Sequence, residues 1–160
     1  GTYRAAFGIG TQPVVCVRGN HDWNNLSSLF GGEVYEAEPV PTVITVKGLK
    51  IGLVRGVTSC GGFWSDEKHD NGDFGMDQIP YDINMLLTHC PPAGILDKVV
   101  PKIRIGSQEI ANWLSKRSYS GVNTPLTHCF GHVHEDYGVT TNTFGQFSNA
   151  ACHYNVLEVK

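Results

Sequence analysis

The stretch PLTHCFGHVHE, residues 125–135, decides how this chain is read. A short β-prone run climbs to Gly131, and two histidines, His132 and His134, follow that glycine at a spacing of two. Such a run ended by glycine reads as a buried strand whose tip opens into a loop. Glycine lets the backbone turn tightly and approach an ion closely, and imidazole is a good ligand for Zn, Fe and Mn. His132 and His134 are therefore candidate ligands, aimed at one ion or at two adjacent ones.

Working outward, the tetrapeptide LTHC of this stretch occurs once more, at residues 87–90 in INMLLTHCPP. Pro91 and Pro92 stop that strand, because proline has no N–H to give to a sheet. His89 thus falls at a strand tip, whereas His128 lies four residues before His132 and still inside its strand. The two copies are expected to do different jobs: His89 binds metal, and His128 is a hydrogen-bonded structural histidine. Cys90 and Cys129 each follow their histidine and point to the other side of an extended chain, so both read as structural. His69 and His153 read as a solvated loop residue and a solvated strand residue.

A third tip of the same kind closes PVVCVRGNHD, residues 13–22, with Gly19, Asn20, His21 and Asp22. Ligand sites in open α/β sheets gather outside the carboxyl ends of strands, so three such tips are expected to meet at one crevice.

The rest of the chain supports an α/β reading. Residues 24–32 read as a short helix, and residues 41–57 as two strands around Lys47-Gly48, a hairpin signal. Residues 58–81 read as a long Gly- and Asp-rich loop of the kind that is functional or mobile. Residues 82–89 read as a buried strand. Ser107 is expected to cap a helix to about Arg117 with Ile110, Ala111 and Leu114 on its apolar face. Alternating β runs from there to HYNVLEVK suggest a closing antiparallel set.

Composition narrows the function classes. With 160 residues and 41% apolar content there is enough core for one ordinary domain. A net charge of -3 and scattered Lys and Arg give no footprint for nucleic acid. No stretch approaches the roughly 18 apolar residues of a membrane span. Five cysteines, an odd number without a C-x-x-C pair, read as free thiols in a reducing compartment, and the expected location is cytoplasmic.

GNHD, LLTHCPP and FGHVHE, in this order and at these intervals, resemble the last three motifs of the calcineurin-like metallophosphoesterases. The resemblance reaches from Pro13 to Lys160 and is nearest to the small single-domain branch that includes the metallophosphoesterase-domain-containing proteins of animals. It implies a layered β-sandwich flanked by helices, and a phosphoesterase that hydrolyses a phosphomonoester or phosphodiester. It also implies two divalent ions, Mn, Fe or Zn, that activate water and clamp phosphate oxygens from a separation of about 3.5 to 4 Å. Asn20, His89 and His132 would help hold one ion, and His134 the other. His21 would face the scissile phosphate as the catalytic imidazole, with Asp22 orienting it. The substrate would be a phosphate-ester small molecule or a nucleotide.

The chain departs from that pattern at its start. The family's first two motifs, an Asp-x-His and a Gly-Asp on the first two strands, have no counterpart in residues 1–12. Residues 1–160 thus read as one calcineurin-like phosphoesterase domain without its first strand-helix units. Strand 13–18 is then expected to keep an open hydrogen-bonding edge. The alternatives to a shortened enzyme are a catalytically inactive scaffold that binds a protein partner, and an active variant in which Asp66, Asp70, Asp73 or Asp77 of the long loop, or a partner chain, replaces the missing carboxylates.

Overall fold

The computed structural model describes residues 12–20, 33–57, 74–100 and 103–159. The expected helix at 24–32, His21, Asp22, His69 and residues 58–73 of the long loop lie outside the described residues.

Strands β1 (Val14–Cys16) and β2 (Val34–Glu36) pair in parallel, Val14 opposite Val34. Among the described residues no strand lies on the other side of β1. Strands β3 (Thr42–Val46) and β4 (Leu49–Val54) form the expected hairpin. Its two-residue turn has Lys47 at φ 50° and Gly48 at φ 82°, and positive φ at both central positions matches the right-handed twist of the flanking strands.

The main sheet has six strands in the order β3-β4-β5-β8-β10-β9. Strands β4, β5 (Met85–Thr88), β8 (Thr127–Phe130) and β10 (Gly145–Asn149) run parallel, flanked by antiparallel β3 and β9 (Gly138–Asn142). Between β5 and β8 the chain makes a small hairpin, β6 (Lys98–Val100) with β7 (Ile103–Arg104), and then helix α1 (Gln108–Tyr119). The closing antiparallel pair is thus present as β9 and β10, but residues 153–159 are irregular. His153 sits in a bend with its ring 4.4 Å from that of Tyr137, so it is not a strand residue.

Two layers cover the sheet because its strands alternate. Leu86, Phe130 and Phe147 face α1 and join Ile110, Trp113 and Leu114 in the larger core. Ile51, Leu53, Met85 and Leu87 face the other way and meet Val15, Val17 and Tyr35 of the β1–β2 layer. Burial of each large apolar side chain contributes about 1.5–3 kcal/mol.

Helix α1 begins where Ser107 Oγ accepts the Ile110 N–H, as its sequence requires. Glu109, Trp113 and Arg117 stand four apart on one face, and all three bind the backbone of residues 74–83. The Glu109 carboxylate accepts from the N–H groups of Phe74 and Met76, Trp113 Nε1 donates to Ile79 O, and Arg117 donates to Tyr81 O and Ile83 O. The last part of the long loop is therefore an anchored segment. Phe74 of this segment is buried in the core.

The two LTHC copies lie on neighbouring strands and touch. His128 is fully buried, and its Nε2 lies 2.9 Å from Thr88 Oγ1. Thr88 Oγ1 already donates to Cys90 O at 2.6 Å, so it accepts from His128, which carries its proton on Nε2. This is the structural histidine expected from strand position. Cys90 is buried and Cys129 half-buried; both are free thiols, and burial pushes the Cys129 thiol up to about 11.

Burial pushes His128 down to about 3, against an ordinary value of 6.5. The unfolded chain then binds more protons than the native one between these values, so stability is full above about pH 6.5 and falls as the pH drops toward 3. Urea unfolding at pH 7 and pH 5 is expected to show a loss on the order of 2 kcal/mol from this residue. In His128→Gln that share of the pH dependence should vanish; an unchanged slope would count against it.

Candidate metal centre

Three strands from the two sheets deliver the site, β1 from one and the parallel pair β5 and β8 from the other. β1 leads through Arg18, whose guanidinium pairs with Glu36 of β2, to Gly19 and Asn20. β5 ends at Thr88 and presents His89; β8 ends at Phe130 and presents Gly131 and His132. A backbone hydrogen bond from Gly131 N–H to His89 O, 3.1 Å, ties the last two tips together.

Asn20 Oδ1 lies 2.9 Å from His89 Nε2. An amide oxygen only accepts, so His89 Nε2 carries the proton here. The rings of His89 and His132 meet edge to face with centroids 4.9 Å apart, and His132 Nε2 is buried. Gly19 packs so closely under His89 that a Cβ on it would lie 2.6 Å from His89 Cε1 and 2.9 Å from Nδ1. Glycine is needed here for close approach, not for an unusual φ.

His132 has φ 70°, and Val133 N–H donates to Gly131 O at 2.9 Å. These are the marks of a γ-turn with the histidine at its apex, a rare and strained conformation for a residue with a side chain. Strain of this kind costs about 1–3 kcal/mol and persists where surrounding bonds enforce it. The turn ends the strand alternation, so His134 does not follow His132 on one face. It is exposed and starts a single 3-10 turn, His134–Asp136. Among the described residues no group of three or more His, Cys, Asp and Glu side chains is arranged to hold a metal ion.

Residues 2–136 match the calcineurin-like phosphoesterase family. The chain belongs to that family. Among curated relatives it is 35% identical to the UPF0046 protein T07D4.2 of Caenorhabditis elegans over 115 residues, which are 66% of this chain and 28% of that protein. It is 39% identical to human metallophosphoesterase domain-containing protein 1 over 83 residues, 51% of this chain and 24% of that protein. The chain thus spans about a quarter of the length of these relatives. The family is generally metal-dependent, and no helix among the described residues is long and apolar enough to cross a membrane.

Asn20, His89 and His132 bring together one amide oxygen and two imidazoles. Asn20 Oδ1 and His89 Nε2 are held at hydrogen-bond distance, so one proton now occupies the line on which both could face a cation. Imidazole and amide oxygen are ligands that Mn, Fe and Zn all accept. The expectation that Asn20, His89 and His132 come together describes the geometry found. Sequence reasoning did not single out Gly19 as a support, nor the buried amide of Asn149 beside the His132 turn. The signal for the second was a polar residue closing the alternating strand GQFSN, the parallel neighbour of β8.

Proposed function

We propose that this phosphoesterase domain contributes one half of a two-metal centre that hydrolyses a phosphomonoester or phosphodiester of a small molecule or nucleotide. The observation that carries the reading is the meeting of Asn20, His89 and His132 just beyond the ends of β1, β5 and β8. These three would hold one ion, and His134 would serve a second. Divalent cations there would polarise a phosphoryl oxygen and lower the pKa of a nearby water. The neutral Asn20 oxygen adds no negative charge where an anionic substrate must approach. His21 would stabilise or protonate the leaving oxygen, and Asp22 would fix its orientation, roles carried over from the family's motif. Manganese, iron and zinc all suit the donors, and a cytoplasmic setting agrees with the free thiols.

Two measurements test this. After loading with Mn²⁺ and desalting, the 160-residue chain is expected to retain metal by elemental analysis. A protein extended to the length of its relatives is expected to hydrolyse bis(4-nitrophenyl) phosphate only when Mn²⁺, Fe²⁺ or Zn²⁺ is supplied. A chain that retains no metal, or hydrolysis indifferent to chelation, would overturn the reading.

A further inference from the structure

We infer that Asn149 is a positioning residue for this centre, acting through the turn that carries His132 and His134; the inference rests on the metal-site reading above. The register explains why it is there. β10 runs parallel to β8 with Asn149 opposite Phe130, and Ala150 N–H donates to Phe130 O, so Asn149 stands beside the point where the chain turns into Gly131-His132-Val133. Its side chain is completely buried.

Every polar atom of that side chain is engaged. Nδ2 donates to Val133 O at 2.8 Å and to Asp136 O at 2.9 Å, and it lies 3.3 Å from Leu96 O. Oδ1 accepts the N–H of Ala151 at 3.1 Å. Three carbonyl oxygens around one end of the amide and an N–H at the other leave only one orientation for it. The bonds to Val133 and Asp136 bracket His134 and begin one residue after His132. They fix the exit of the strained γ-turn, which is the kind of external constraint that a positive φ at histidine needs.

The hub reaches beyond the turn. Leu96 precedes the β6–β7 hairpin, and Asp136 Oδ2 accepts the N–H of Lys98 at 3.0 Å, so the same few bonds join the base of that hairpin to the histidine turn. Asn149 is itself held by the C-terminal segment, where Asn155 Nδ2 reaches Ser148 Oγ and Asn149 O. Partners that orient metal-binding histidines typically change metal affinity by about 10–100-fold when removed. Asn149 reaches the histidines through the backbone rather than by their rings, which makes the lower end of that range the expectation.

The test uses Asn149→Ala beside Trp113→Phe, which removes a buried side-chain hydrogen bond from α1 to Ile79 O, away from the strand tips. Co²⁺ titration followed by its visible absorption is expected to show about tenfold weaker binding in Asn149→Ala and unchanged binding in Trp113→Phe. In metal-free protein, the imidazole Cε1–H NMR signals of His132 and His134 should move in Asn149→Ala and stay in place in Trp113→Phe. Equal Co²⁺ affinity with unmoved imidazole signals in folded Asn149→Ala would overturn the inference. If the parent chain itself takes up no Co²⁺, the metal-site reading fails, and the metal-free NMR comparison alone decides whether Asn149 sets the turn. Should Asn149→Ala not fold, Asn149→Ser, which keeps one donor, replaces it in both arms and is expected to move the same signals.

Discussion

Gly19→Ala is expected to weaken divalent metal binding by about 100-fold while the protein keeps its fold and nearly its melting temperature. The added methyl carbon would sit 2.6 Å from His89 Cε1, closer than nonbonded carbons come, so the ring must leave its place. Leaving costs the bond from His89 Nε2 to Asn20 Oδ1 and the edge-to-face contact with His132, and so the mutual arrangement of all three donors. The backbone has no reason to resist, because Gly19 does not occupy the left-handed region. Isothermal titration with Mn²⁺ against a Gly121→Ala control separates the two effects. Gly121 lies at φ 78°, and a Cβ added there would meet nothing within 4 Å, so its change strains backbone alone and should leave metal binding untouched. Parent-like affinity in Gly19→Ala would remove His89 from the centre.

The second large effect is on the fold. Gly145→Ala is expected to destabilise the domain by about 3 kcal/mol or more, read as a lower urea midpoint at unchanged slope. Gly145 lies at φ 148°, and a Cβ there would come within 2.3 Å of Leu126 O. That oxygen cannot retreat, since it accepts the Gln146 N–H at 2.9 Å in the first bond between β8 and β10. A side chain thus meets strain and a clash with paired backbone at once. Because Gly145 opens β10 and Asn149 closes it, parent-like stability in this variant would contradict the register on which the centre depends.

What could be read from sequence was the chemistry that is contiguous in it. Each tip spells its own signal, a β-prone run, a breaker and then ligands, and the rule that ligand sites gather outside strand ends led to the expectation that Asn20, His89 and His132 meet. His128 was separated from His89 by strand position alone, and its buried bond to Thr88 agrees. Other parts gave no such signal. β2 is three residues long and pairs at a distance, too short for a period to be heard. The segment after residue 73 is rich in turn residues, yet Glu109, Trp113 and Arg117 hold it from another element. Asn149 gathers carbonyls from residues 96, 133 and 136, a pattern no local window contains. Strand alternation ends where His132 turns to positive φ, and His134 opens a separate 3-10 turn, a change that the spacing alone does not encode.

The four parallel strands at the centre of the sheet also govern how the molecule is made. None of the four can pair with another of them through a tight turn, so every parallel ladder waits for a stretch of intervening chain to be gathered first. Asn84 and Thr127, joined by a backbone bond at the start of the β5–β8 contact, are separated by more than forty positions that include β6, β7 and α1. Closing such loops is entropically costly before the contacts reward it, which places this domain among slow folders whose rate is set by topology. The hairpins β3–β4 and β9–β10, at the two edges, are the pieces able to form early, and the metal centre, assembled from the far ends of the late strands, is among the last features to exist.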